Sequence, residues 1–257
     1  MLAIAALVPE TVLLVPGAAG RAVVLEDVRA AALDAVGALV AAAPDRLVVV
    51  ASGPVDRVVE APVRPSLAAA GIADGVLGWA VPPEAGGPRG AVPAVGASVA
   101  LLALAHAGWV GPLTVLEVAP CDELATGADA APAERARAAA LRARGAELAA
   151  QPGRLALLVA GSLSARRGTG APLAPDERAG PLDDAVLEDL ATADPPALDR
   201  LGRISGSLAA ELAVTAWAPL QVLLGAAEAA GPLDASVEHA SAPFGVTYAV
   251  TVWRASR

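Results

Sequence analysis

A chain of 257 residues is long enough to bury one large core. A formal net charge of −9 argues against non-specific nucleic-acid binding, which needs a basic face to displace counterions, and repels anionic membrane surfaces. One cysteine, Cys121, excludes an internal disulfide and any multi-cysteine zinc or iron–sulfur site.

The opening run Leu2 to Val8 is apolar, carries no basic stretch ahead of it and stops at Pro9-Glu10. It is too short to span a bilayer and predicts a strand buried on both faces. From Ala22 to Ala43 the pattern is helical, with Val24, Val28, Leu33, Val36 and Val40 near one face and Glu26, Asp27, Arg29 and Asp34 on others. Pro44-Asp45-Arg46 ends that helix and Leu47 to Ala51 forms a second buried strand, so the first fifty residues predict a right-handed βαβ unit. Ser52 to Gly75 is irregular, with a further helix expected near Ser66. Val76 to Val81 predicts a strand, and Pro82 to Gly96, rich in proline and glycine, a surface loop.

Mean hydropathy is high at +0.58, and the longest uncharged run, Gly90 to Leu116, is the one segment that tests a membrane reading. Pro93, Gly96, Gly108, Gly111 and Pro112 divide it into a helix over Ala97 to Ala107 and a strand over Leu113 to Val118, which excludes a transmembrane span. Pro120 to Ala131 is a polar connection in which Cys121 sits beside Asp122 and Glu123, neighbours that disfavour a thiolate. An alanine- and arginine-rich helix follows over Ala133 to Gln151, then the central strand Leu155 to Ala160 and a Gly/Ser/Arg loop, Gly161 to Gly170. Helices are predicted around Asp183 to Thr192, Ala197 to Leu201, Ser207 to Ala216 and Leu220 to Ala230. Two strands, Ser236 to Ala240 and Gly245 to Trp253, close the chain as an antiparallel hairpin. Alternating strands and helices predict a single domain over 1–257. The expected fold class is α/β, a three-layer α/β/α sandwich with a mostly parallel or mixed central sheet and a C-terminal antiparallel hairpin.

Ligands of open α/β sheets bind beyond the carboxyl ends of the strands, which directs attention to Pro9 to Pro16, Ser52 to Asp56 and Gly161 to Gly170. The last of these offers hydroxyls at Ser162 and Ser164 and guanidinium forks at Arg166 and Arg167, a chemistry suited to a carboxylate or phosphate. It lacks the lysine and spacing of a Walker loop, and no Gly-x-Ser-x-Gly elbow occurs in it.

Four segments carry a family resemblance. Pro9-Glu10-Thr11-Val12-Leu13-Leu14-Val15-Pro16 resembles the N-terminal proline- and histidine-containing motif of LigB-type class III extradiol dioxygenases. Gly161-Ser162-Leu163-Ser164-Ala165 is similar to that family's Gly-Gly-Leu-Ser-His loop. Ala210-Glu211-Leu212, followed by Trp217, looks like its Ala-Glu-aliphatic segment ahead of a tryptophan. Ala242-Pro243-Phe244-Gly245-Val246 running to Trp253 matches the terminal strand of small members from high-G+C bacteria, whose codon usage also accounts for the absence of lysine and asparagine. The resemblance implies a ring-opening enzyme holding Fe(II) on two histidines and a carboxylate, with a further histidine as acid/base. Here the first ligand position is Glu10, Ser52-Gly53-Pro54-Val55-Asp56 supplies no histidine, the acid/base position is Ala165, and only Glu211 matches a ligand. Three histidines are needed and the chain has two, His106 and His239, neither on a motif position.

The expected protein is therefore a degenerate, cytoplasmic relative of the extradiol dioxygenases. It binds a small ligand, an anionic one if the loop arginines take part, or a protein partner, and it neither binds nucleic acid nor enters a membrane; a homo-oligomer fits the family. Ligand-binding candidates are Glu10, Ser52, Ser162, Ser164, Arg166, Arg167, Glu211 and His239. No cofactor is expected. The alternative is a metal-dependent enzyme, dioxygenase-like or hydrolytic, with Fe, Mn or Mg on a rebuilt site of Glu10, Asp56 and Glu211.

Overall fold

The computed structural model describes residues 1–80, 90–120 and 130–256. In chain order these form β1 (Leu2–Val8), α1 (Glu26–Ala41), β2 (Arg46–Ser52), β3 (Arg57–Glu60), α2 (Val95–His106), β4 (Leu113–Val118), α3 (Ala130–Ala150), β5 (Leu155–Ala160), α4 (Ala179–Thr192), α5 (Pro195–Gly202), α6 (Gly206–Glu211), α7 (Trp217–Ala230), β6 (Leu233–Ser241) and β7 (Tyr248–Ala255). Cys121 and its acidic neighbours lie outside the described residues, as do most of the expected loop Pro82 to Gly96 and of the connection Pro120 to Ala131.

The seven strands make one mixed sheet in the order β3-β4-β2-β5-β1-β7-β6. β4, β2, β5 and β1 run parallel, while β3, β7 and β6 pair antiparallel with their neighbours, and β6 and β7 form the expected C-terminal hairpin. The apolar runs of the parallel strands follow from double-sided burial. In β5, Leu155, Leu157 and Val159 face one core while Ala156, Leu158 and Ala160 face the other. The first core is closed by α3 to α7 and the second by α1 and α2, which gives the three layers.

The helical layer on the first face depends on one close approach. A Cβ on Gly145 of α3 would overlap the Val222 carbonyl of α7, and one on Gly225 of α7 would overlap the Arg142 carbonyl of α3. Two reciprocal glycines let the helix backbones touch, which fixes how α7 lies across β1, β2 and β5.

Three local expectations are corrected. Val76 to Val81 is not a strand: Asp74–Val76 is a short 3-10 helix, and Leu77 to Ala80 joins no sheet. Its apolar residues pack over the far end of α2, where Trp79 stacks on His106 with ring centroids 5.1 Å apart. No helix forms at Ser66, because the Asp74 carboxylate accepts from the Ser66 hydroxyl at 3.0 Å and from the Leu67 N–H at 3.0 Å, and only a 3-10 turn over Ala68–Ala70 follows. The helix expected over Ser207 to Ala216 stops at Glu211, and Ala213 turns the chain in the left-handed region at φ 55°. The edge strand β3 was not foreseen: only Val59 of its four residues is buried, so it carries no apolar run.

Gly145→Ala should lower stability by about 2 kcal/mol, within the usual range for overpacking. Gly37→Ala, in the middle of α1 with open space around its Cα, should instead raise stability by up to about 1 kcal/mol. Urea unfolding of both variants beside the parent checks the pair.

Candidate functional site

The carboxyl ends of β1, β2 and β5 open into a cleft of about 590 Å³. Its polar groups are Glu10 and Thr11 after β1, Ser52 at the end of β2, Ser162 after β5, Thr215 ahead of α7, and Tyr248 at the start of β7. Thr215 joins three of these segments. Its carbonyl accepts from the Ser52 hydroxyl at 2.8 Å, its hydroxyl accepts from the Ser162 N–H at 2.9 Å, and its side chain hydrogen-bonds to Glu10. The contact is close because residue 161 is glycine: a Cβ there would lie 2.5 Å from the Ala216 Cα.

Glu10 is the one ionisable side chain in this arrangement besides Tyr248. Burial pushes its carboxyl above the ordinary range, and the Thr215 hydrogen bond offsets only part of that. The start of α2 presses on it, with Oε2 2.9 Å from where a Cβ on Gly96 would stand. Tyr248 is also shifted upward, first by burial and then by the nearby Glu10 charge, against a hydrogen bond from Thr11. Its phenol therefore stays protonated and can donate. Among the described residues the cleft has no arginine and no histidine in its wall. Its chemistry is one desolvated carboxyl, several hydroxyls and an apolar remainder from Val95, Pro54 and Val246.

Of the candidates named from sequence, Glu10, Ser52 and Ser162 come together here. The others lie elsewhere. Ser164 is fully buried, and its N–H and hydroxyl both donate to Asp183, at 3.0 and 2.5 Å. Arg166 turns to the Ala174 carbonyl at 2.9 Å, and Arg167 pairs with Asp184 at 2.9 Å. The loop arginines thus serve the loop rather than an anion in the cleft. Glu211 is exposed and pairs with Arg178 at 2.8 Å. His239 sits on the edge strand β6, its Nε2 2.8 Å from the Ser241 hydroxyl. Asp56 accepts from the Arg137 guanidinium at 2.5 Å and from the Ala119 N–H at 2.7 Å, and its carboxyl is held below the ordinary range chiefly by that arginine.

The rebuilt metal site of Glu10, Asp56 and Glu211 is therefore not assembled, and among the described residues no three His, Cys, Asp or Glu side chains converge. The position implied for the acid/base histidine, Ala165, does line the cleft. The Fe(II) site of the resembled family needs two imidazoles beside a carboxylate. Glu10, Ser52 and Ala165 supply none, so the donor set does not fit that ion.

Sequence reasoning missed Thr11, Thr215 and Tyr248, as well as two buried carboxylates that frame the cleft. Glu117 of β4 accepts from Arg57 at 2.7 and 3.0 Å and from the Ala94 N–H, just ahead of α2, at 2.7 Å. Asp183 of α4 accepts from Ser164 and from the Thr247 hydroxyl, the latter at 2.6 Å. The available signals were thin: Tyr248 is the only tyrosine in the chain, and Thr215 directly precedes the Ala216-Trp217 start of α7.

No family model matches the chain, and no curated protein matches it. Among solved structures it is similar to the crystal structure of the uncharacterized protein JW3007 from Escherichia coli K12, at 15% identity and a TM-score of 0.54, over 98% of this chain and 99% of that one. That likeness bears out the α/β fold seen in the described residues. Among the described residues no helix is long and apolar enough to cross a membrane.

Two outcomes test the electrostatics. The raised Glu10 pKa means that the folded state disfavours its ionisation. Its contribution to stability is full below the unfolded value near 4.5 and is lost as pH rises toward and through the folded value. Glu10→Gln should match the parent in stability below about pH 4 and exceed it at pH 7, as urea titrations at both pH values would show. Asp183→Ala strands the Ser164 and Thr247 donors and should cost about 3 kcal/mol, measured in the same way.

Proposed function

We propose that this chain is a degenerate, cytoplasmic LigB-like protein that keeps the strand-end cleft as a binding site and does not open aromatic rings. The observation that carries this reading is Glu10. It stands at the position where the resembled family places its first histidine ligand, and it is desolvated in the cleft wall, with no cationic side chain among the described residues lining the cleft. A carboxyl in that state favours a ligand that brings a positive charge or a good hydrogen-bond donor. The hydroxyls of Thr11, Ser52, Ser162 and Tyr248 suit a hydroxylated partner in the same way.

The ligand supported best is a small, partly apolar molecule that is neutral or carries an amine. An anion is disfavoured, since the arginines that suggested one are engaged outside the cleft. A volume of about 590 Å³ accommodates a single substituted ring with room for its substituents.

Three ring compounds of similar size test the charge preference: catechol, benzylamine and benzoate. Benzylamine and catechol should bind more tightly than benzoate by isothermal titration at pH 7, and Glu10→Gln should remove the benzylamine advantage. Protein reconstituted with Fe(II) and supplied with catechol and O₂ should give no yellow ring-opened semialdehyde. Preference for benzoate, or formation of that product, would overturn the reading.

A further inference from the structure

A second cavity lies on the helical face, remote from Glu10. It is about 600 Å³ in volume and lies between α3 and the α5–α6 turn, with the start of α7 at its back. Arg135 and Arg142 of α3 line it from one side and Arg203, just after α5, from the other; Glu134 and Asp199 are its two carboxylates.

The charges in this cavity are unequally committed. Glu134 accepts from the Ser207 N–H at 3.3 Å, from the Gly206 N–H at 2.5 Å and from the Ser207 hydroxyl at 3.1 Å, so it is spent on the start of α6. Those contacts hold its carboxyl below the ordinary range in spite of burial. Asp199 pairs with Arg203 at 2.7 Å. Among the described residues, Arg135 and Arg142 have no ion-pair or hydrogen-bond partner.

Arg142 is the informative one. It is half-buried, and its guanidinium rests against Gly202 so closely that a Cβ there would collide with it. A half-buried guanidinium usually finds an acceptor, because its desolvation is otherwise uncompensated. Arg135 stands seven residues earlier, two turns along the same face of α3, so both side chains reach into the same space. Around them Ala138, Ile204 and Trp217 supply an apolar wall, while the Ser207 hydroxyl is already engaged by Glu134. In a chain of net charge −9, three arginines here stand against two carboxylates, both of them already engaged by Arg203 or by the start of α6.

We propose that this cavity binds a small organic oxyanion, a phosphate ester or a polycarboxylate, whose charged group is held between Arg142 and Arg135. The several oxygens of such an anion suit two long guanidinium side chains reaching in from positions two turns apart on one face of α3, and the Trp217 side accepts the organic part. This site is separate from the strand-end cleft, and its ligand carries the opposite charge preference.

Pyrophosphate and citrate, titrated into the full chain at constant ionic strength against a chloride control, test the assignment and separate the two sources. At least one should bind saturably and raise the melting temperature. Arg142→Gln and Arg135→Gln should each weaken that binding about tenfold, whereas Arg21→Gln, an exposed arginine elsewhere, should leave it unchanged. Asp199→Asn, which frees Arg203 and removes a nearby negative charge, should tighten it severalfold. Arg135 is exposed, so its variant reports even where Arg142→Gln lowers stability. No saturable binding of either anion, or equal weakening by Arg21→Gln, would overturn the proposal.

Discussion

The Asp183 carboxylate is where the loop after β5, the start of β7 and helix α4 meet. It is 1% exposed and is reached by the Ser164 N–H, the Ser164 hydroxyl and the Thr247 hydroxyl. Beside it, backbone bonds run from Leu163 N to Thr247 O at 3.0 Å and from Thr247 N to Ser164 O at 2.9 Å. The segment that looks most like a free ligand loop is thereby stitched to a neighbouring strand along its first half. This latch places Ser162 and Ala165 at the cleft and withdraws Ser164 from it.

Around that latch, much of the architecture was legible because it rests on local pattern. Runs such as LAIAALV and LALLVA are apolar at every position, and double-sided burial is the arrangement that uses both parities at once. The hairpin of β6 and β7 was legible on another ground, the short connection Ser241 to Phe244, since β6 carries no apolar run. What was illegible depends on partners distant in sequence. β3 exists because Arg57 reaches Glu117 and Val59 is covered by the sheet, and neither contact leaves an apolar run. Leu77 to Ala80 carries an apolar pattern but serves as a cover, with Trp79 on His106, rather than as a strand.

The site divides along the same line. Position relative to strand ends located Glu10, Ser52 and Ser162, since topology alone brings those ends together. Charge did not locate function: Arg166, Arg167, Glu211 and Asp56 are each bound to a partner that composition could not assign. An arginine in a glycine-rich loop is available to a ligand only if no carbonyl or carboxylate lies closer, and here one does. Two arginines without an ion-pair or hydrogen-bond partner among the described residues, Arg135 and Arg142, instead lie on α3, whose arginines the sequence reading assigned no role.

Three carboxyls at or near the cleft, Glu10, Glu117 and Asp183, can be ranked by what folding does for them. Glu117 is wholly buried and receives a two-pronged arginine and a backbone amide, and Asp183 receives two hydroxyls and an amide. Both are explained as structural members, because removing either would leave several donors without an acceptor. Glu10 receives one threonine side chain, is shifted against its own ionisation, and faces open volume. A glutamine or a leucine of similar size would serve packing at that position at lower cost. A carboxyl that the fold disfavours and the packing does not need has its rationale in what enters the cleft, and perturbed groups of this kind concentrate at functional sites. That contrast, rather than the missing histidines alone, is what supports the proposal that the cleft binds a ligand.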